Sequence, residues 1–391
     1  MASTRTAVVL SGGASYGAYE VGVLKALAEG TAQTGYEPLA PQVIAGTSAG
    51  AFNAAIMTAY SIAGMEAAAT HLETEWMTRI AEGNDGCNGT VIRYRGNPFV
   101  LINPACMAGS PSGAFDQFVS DSRFIVKDSF RRGLRALVGG GELGQRLLDL
   151  VNLETIISGT PYRHLVVNDV PLAAVRSAPV DIRIAATNWK TGEVMVFGND
   201  DMTDDRGHQI ILASSAIPGV FATVEIDGVP YADGGLVMNT PLRPAIDAGC
   251  DIIHAVSINP QVQDLSLQQL PSTIGEVYRS LSISLASSLN RDVEIAARIN
   301  QGIGVLENAG RGLKDPSALR NLTLFLGSLS KSGGAKPYRR LEIHRYQLAD
   351  HSDSFLKWLD FRQARLASLI REGYQDAKQH DCRTSGCVLS N

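Results

Sequence analysis

A chain of 391 residues is longer than one ordinary core requires, and 45% hydrophobic with 19% charged residues is a globular composition, which excludes a disordered or fibrous chain. The formal charge of −5, from 34 basic and 39 acidic residues, lacks the basic excess of a nucleic-acid binder, so no nucleic-acid partner is expected. Five cysteines are too few and too scattered for a disulfide scaffold.

In chain order, Thr6–Leu10 is a short apolar run ending in Ser11-Gly12-Gly13, a strand running into a glycine loop. Tyr19, Val23, Leu24 and Leu27 then recur at helical spacing. Gln42–Ala45 reads as a second strand entering Gly46-Thr47-Ser48-Ala49-Gly50, and an almost uncharged helix follows to about Ala63. Pro38 to Met65 holds 28 residues without Asp, Glu, Lys or Arg, enough to span a membrane. Its two prolines, three glycines and several hydroxyl and amide side chains fit a buried strand, turn and helix better. The apolar run Ala7–Leu10 is too short for a secretory segment, and the expectation is a soluble protein, cytoplasmic or peripheral at a membrane. Strand, helix, strand, helix in this order predicts an α/β fold with a mostly parallel sheet.

Residues 66–160 are mixed and read as a helical and looped insertion. Asp181–Thr187 alternates as a strand, Lys190–Glu193 forms a hairpin turn into Val194–Phe197, and Ile252–Ile258 is a core strand. Ser272 to about Asn308 reads as helices, Leu341–Tyr346 as a late strand and Phe361–Gln379 as an amphipathic closing helix. The expected division is a catalytic domain over 6–260 and a C-terminal helical elaboration over 261–391, packed on the same core. Residues 331–391 carry 11 Lys and Arg against 7 Asp and Glu, which reads as a solvated face. Cys382 and Cys387 read as free thiols in a tail, because no second His/Cys cluster supports a zinc site. The acidic group Asp200, Asp201, Asp204 and Asp205 does not match a calcium-loop spacing and reads as a surface loop. Neither a metal nor another cofactor is called for, and the oligomeric state is left open.

Gly46-Thr47-Ser48-Ala49-Gly50 is a G-x-S-x-G elbow between a predicted strand and a predicted helix. The turn is tight, so its flanking positions carry no side chain, and the serine projects near a helix N-terminus that favours developing negative charge. The loop Ser11 to Gly17 exposes successive N–H groups suited to an anion, and Ala14 in place of a middle glycine argues against a dinucleotide loop. A serine needs a base. Of the seven histidines His351, in a polar stretch, is the best triad candidate, but none sits in a motif and each reads first as structural. A stronger signal is Tyr231-Ala232-Asp233-Gly234-Gly235, an acid in a glycine turn after a short strand.

These three elements, Gly12–Gly17, Gly46–Gly50 and Asp233-Gly234-Gly235, together with Ala213–Phe221 before the last, resemble the patatin-like phospholipase family over roughly residues 6–260. The resemblance implies a three-layer α/β/α sandwich and a Ser48–Asp233 dyad without histidine. It also implies an oxyanion hole from the amides of Gly12, Gly13 and Ala14. Gly17, Gly46, Gly50, Gly234 and Gly235 would be the motif glycines. The implied activity is lipid acyl hydrolysis of the phospholipase A or lysophospholipase kind, on a phospholipid or other acyl-ester lipid met in transient contact with a membrane surface. A His-dependent serine esterase and a catalytically weak lipid-binding module are the alternatives. Two positions depart from the family pattern: Ala14 replaces a glycine and Tyr16 an arginine, so that Tyr16→Arg is expected to retain or raise activity.

Overall fold

The computed structural model describes residues 4–32, 34–36, 38–82, 90–95, 119–127, 157–218, 220–258, 293–305, 317, 340–348 and 355–389. Strand β1 (Thr6–Leu10) leads through a short 3-10 turn into helix α1 (Gly17–Ala28), and β2 (Val43–Gly46) leads into α2 (Ala49–Tyr60). The uncharged run from Pro38 is thus a buried strand, a turn and a helix, and no helix among the described residues is long and apolar enough to cross a membrane. Helix α3 (Met65–Glu75) follows, then β3 (Arg93–Tyr94), β4 (Ile157–Ser158) and α4 (Thr160–Asp169). Strand β5 (Asp181–Asn188) turns through Gly192, φ 73°, into β6 (Val194–Phe197), the expected hairpin. Helix α5 (Gly207–Ser214), β7 (Val224–Ile226), β8 (Val229–Asp233), β9 (Ile252–Ser257), β10 (Glu342–Gln347) and α6 (Gln363–Lys378) complete the framework. Residues 293–305 are helical; the rest of the expected helices over 272–308, and most of the expected insertion, lie outside the described residues.

The eight-stranded sheet is parallel along β10-β9-β1-β2-β5 and antiparallel where β6, β7 and β8 join. Alternation along β1 divides the core. Val8 and Leu10 face α1, α2, α3 and α6, whereas Ala7 and Val9 face a second cluster with Leu242, Ala245, Val293 and Ala296. Both faces of the sheet are therefore covered by helices, the arrangement that parallel strands require. The fold is an α/β/α sandwich, as expected.

Two helices cross at unusually close range. A Cβ on Gly22 of α1 would lie 2.0 Å from the Ile370 carbonyl oxygen, and one on Gly373 of α6 would lie 2.1 Å from that of Tyr19. Reciprocal absence of side chains lets the backbones touch, and the Tyr19 hydroxyl donates to Asp376 at 2.9 Å beside the crossing. The closing helix is thereby locked onto the first helix, directly behind the glycine loop.

The register of β5 decides what meets at its end. Gly46 of β2 lies opposite Ile184, while Asp233 of β8 lies opposite Ala186. Strand β6 pairs with Ile184 through Thr187, so β2 and β8 share the other edge of β5 end to end. The chain leaving β2 and the chain leaving β8 are thus brought together at one point.

Candidate active site

Ser48 stands at that point, between β2 and α2, with φ 55° and ψ −122°. A positive φ on a residue with a Cβ is strained, and close packing holds it here. A Cβ on Gly46 would lie 2.2 Å from the Gly50 carbonyl oxygen, and one on Gly50 would lie 2.6 Å from that of Leu10. The Ser48 N–H donates to Ser214 Oγ at 2.9 Å, and that hydroxyl donates in turn to the Ala185 carbonyl at 2.7 Å. The elbow is hung from β5 by a side chain of α5. The Ser48 side chain itself stays at the α2 N-terminus, where the helix dipole favours negative charge.

Asp233 ends β8 and is 5% exposed. Its N–H donates to the Ala216 carbonyl at 2.9 Å, its carbonyl accepts from Thr187 Oγ1 at 2.9 Å, and its Oδ1 accepts from the Gly235 N–H at 2.7 Å. Oδ2 has no hydrogen bond of ordinary length and angle. Burial pushes the Asp233 carboxyl up to about 7, against smaller downward effects of the Gly235 amide and the Ser48 hydroxyl. Gly234 fits because a Cβ there would lie 2.3 Å from the Ala185 carbonyl oxygen.

The glycine loop closes the site from the β1 side. Gly12 presses against the nucleophile elbow, since a Cβ there would lie 2.9 Å from that of Ser48. Its N–H is already committed to the Asn239 carbonyl at 3.1 Å, and its own carbonyl accepts from Asn239 Nδ2 at 3.1 Å. The N–H groups of Gly13 and Ala14 take no acceptor among the described residues. Ala14 adopts φ 49°, the left-handed conformation in which an alanine is less at ease than a glycine. Gly17 lies against Ala49 and Trp76. Beneath the loop, Asn53 Nδ2 donates to the Gly17 carbonyl and to Glu20 Oε2, and Trp76 Nε1 donates to Asn53 Oδ1 at 2.7 Å. Burial holds the Glu20 carboxyl well above the ordinary range, against smaller downward effects of the Asn53 side chain and the Ser11 amide.

Tyr16, the second departure from the family pattern, lies in the core. It is 3% exposed, with the Arg365 guanidinium of α6 5.4 Å from its ring centroid. An arginine at 16 would bury one cation beside another.

Two cavities meet at Ser48. One is small, with Ser48, Asp233 and Asn239 set among Gly12, Gly13, Gly235 and the apolar Ile217, Pro218, Leu236 and Trp358. The other is apolar, lined by Phe52, Trp76, Ile80, Val91, Ile92, Ile217, Phe221, Leu359 and Phe361, with Tyr162 at its side. The Tyr162 hydroxyl bonds Ser215 Oγ at 2.9 Å, and burial raises its pKa. No histidine is among the described residues lining either cavity. His351 lies outside the described residues, while His254 and His344 sit side by side in β9 and β10. Ser214, Asn239, Asn53 and the apolar wall were not foreseen from the sequence. Only the Ala213–Phe221 segment carried a signal for Ser214.

Elsewhere, Asp201 Oδ2 accepts from the Gly198 N–H and Asp204 pairs with Arg176 at 2.7 Å, so the acidic group ties down its own loop. Cys382 and Cys387 are free of any disulfide, as expected, but the expectation that no further His/Cys cluster supports them is overturned. His344 and His380 join them, with one donor atom of each of the four within 4.8 Å of the others.

The family model of patatin-like phospholipases matches residues 8–246. Uncharacterized NTE family proteins of Mycobacterium bovis and Mycobacterium tuberculosis are each 25% identical over 194 residues, covering 46% of this chain and 48% of theirs. The chain spans about half the length of the curated relatives it matches. VipD from Legionella pneumophila aligns over 96% of this chain and 66% of its own, at 14% identity and a TM-score of 0.37.

Proposed function

The chain belongs to the patatin-like phospholipase family, and on that premise we propose that it is a serine acyl hydrolase that cleaves carboxylic esters of lipids through Ser48 and Asp233. The observation that carries this reading is the pairing at one cavity of a strained serine with a buried carboxyl raised to about 7. A carboxylate of ordinary pKa, about 3.9, is a poor acceptor for a serine proton, whereas one near the working pH combines availability with basicity. Asp233 takes the hydroxyl proton as Ser48 Oγ attacks the acyl carbonyl carbon. The carbonyl oxygen becomes an oxyanion held by the N–H groups of Gly13 and Ala14. Gly12, whose N–H is bound to Asn239, contributes close approach. Collapse expels the alcohol, which recovers its proton from Asp233, and leaves an ester on Ser48. Water, deprotonated by Asp233, then attacks the acyl carbon; the tetrahedral species expels Ser48 Oγ, which takes the proton back from Asp233, and the fatty acid leaves.

The apolar cavity beside Ser48 supports an acyl chain as the group held during the reaction, because burying each methylene contributes about 0.8 kcal/mol. A phospholipid or lysophospholipid at a membrane surface fits that preference. The test is mass-spectrometric product analysis on a lipid panel, run beside hydrolysis of a p-nitrophenyl ester. Release of free fatty acid by wild type, lost in Ser48→Ala with the fold unchanged, is the expected result. Binding of lipid vesicles with no release of acid from any substrate would instead make this a lipid-binding module.

A further inference from the structure

At the far edge of the sheet, two strands from β1, the segment after α6 folds back onto β10. Ile343 and Val388 exchange backbone hydrogen bonds of 2.7 and 2.9 Å, and Gly386, φ 67°, supplies the turn before this contact. Four side chains of metal-binding chemistry converge there. His344 Nδ1 lies 3.2 Å from Cys382 Sγ, and His380 Nε2 lies 3.3 Å from both Cys382 Sγ and Cys387 Sγ. We propose that His344, His380, Cys382 and Cys387 form a structural zinc site that staples the 379–389 segment to the sheet edge.

The distances favour a shared central ion over hydrogen bonds alone. A neutral imidazole nitrogen either donates one proton or accepts one, so equal approach of His380 Nε2 to two sulfurs is not explained by pairing with either. With Zn–S near 2.3 Å and Zn–N near 2.0–2.1 Å, a tetrahedron sets its ligand atoms roughly 3.3–3.8 Å apart. The three observed nitrogen–sulfur contacts, 3.2–3.3 Å, lie at or just below the short end of that range, and all four donor atoms lie within 4.8 Å of one another, so small side-chain shifts would seat the ion.

The surroundings are those a zinc ligand set needs. The other nitrogen of His344, Nε2, lies 3.1 Å from Glu342 Oε1, and Glu342 Oε2 accepts from the Tyr36 hydroxyl at 2.9 Å. The Nε2 approach is off the hydrogen-bond axis, so the carboxylate acts on the ring through its charge, which favours a proton on Nε2 and leaves Nδ1 to the metal. The Arg345 N–H points at Cys387 Sγ at 3.4 Å, which stabilises a thiolate. His344 is 1% exposed and stacked on His254, with ring centroids 5.2 Å apart, so its ring is held in place. Two thiolates with two imidazoles select zinc over the oxygen-seeking calcium and magnesium. Two thiolates neutralise the dication, and binding releases the two thiol protons to solvent. Four protein ligands leave no open position, which marks a structural site. The ion would pin the segment that bridges to the edge of β10 through Ile343 and Val388.

The test uses the full chain, purified under reducing conditions without chelator. Elemental analysis should find about one zinc per chain, and less than about a tenth of that in Cys382→Ser/Cys387→Ser. Cobalt(II) exchanged into wild type should show intense tetrahedral d–d bands and a thiolate-to-cobalt charge-transfer band, a readout that needs no variant to fold. A strong chelator should lower the thermal midpoint of wild type. Substoichiometric zinc after growth in zinc-supplemented medium, a weak octahedral cobalt spectrum, or a Cys382–Cys387 disulfide under the same reducing conditions would each overturn the site. None of these readouts depends on whether Ser48 is catalytic.

Discussion

Replacing Asp233 by asparagine should move activity and stability in opposite directions. The carboxyl rises from an ordinary 3.8 to about 7, with burial as the leading cause. Between those values the folded protein holds a proton that the unfolded chain has released, so this group lowers stability as pH rises across that window. Above about pH 7 the whole cost is present, roughly three pKa units or about 4 kcal/mol. Asparagine never carries that charge, and its Oδ1 can still accept from the Gly235 N–H, so the turn persists. We expect Asp233→Asn to be more stable than wild type by about 1–4 kcal/mol at pH 8, with the gain shrinking toward pH 4. Turnover should fall by about 10²- to 10⁴-fold, because the amide cannot accept the Ser48 proton. Urea unfolding at several pH values, beside p-nitrophenyl ester kinetics on the same preparations, reads both. Near-normal turnover would refute the dyad. A variant less stable than wild type at pH 8 would refute the claim that burial of the charge raises the pKa.

Ser214→Ala should lower turnover and cost about 1–3 kcal/mol, because it removes the acceptor of the Ser48 N–H; kinetics and chemical unfolding check both. Tyr16→Arg should lower the thermal midpoint and reduce activity, measured by differential scanning calorimetry and ester hydrolysis, since position 16 is buried beside Arg365. Gly373→Ala should destabilise by about 1–3 kcal/mol or more in urea unfolding, because its Cβ would strike the Tyr19 carbonyl and push α6 off α1. Phe221→Ala, in the apolar wall, should weaken long-chain substrates more than short ones, seen as a kcat/KM ratio across chain lengths.

The parts of the site that were legible in the sequence are those whose geometry is local. A strand-turn-helix with glycines on either side of Ser48 dictates its own elbow, and Asp233-Gly234-Gly235 dictates its own turn. That both turns open on one cavity depends on β2 and β8 sharing an edge of β5, a matter of register between strands more than a hundred residues apart in sequence. Neither the Asn239 clamp on Gly12 nor the Ser214 link to Ser48 has a spacing rule to announce it. The same holds for the histidine and cysteine cluster. His380, Cys382 and Cys387 are neighbours in sequence, but His344 reaches them only because the segment after α6 turns back along β10. Position 16 shows the same limit: the motif marks it as a departure, while the Arg365 guanidinium beside the Tyr16 ring comes from a helix nearly 350 residues away and has no spacing rule.

The rate at which a fluorophosphonate modifies Ser48, followed by peptide mass spectrometry between about pH 5 and pH 9, tests the proposed pairing most directly. In wild type, modification should fall on Ser48 and its rate should climb with pH through a midpoint near 7, the value to which burial raises Asp233. In Asp233→Asn that limb should disappear. Modification of a different residue, or an unchanged limb in the asparagine variant, would contradict the assignment of Asp233 as the base for Ser48.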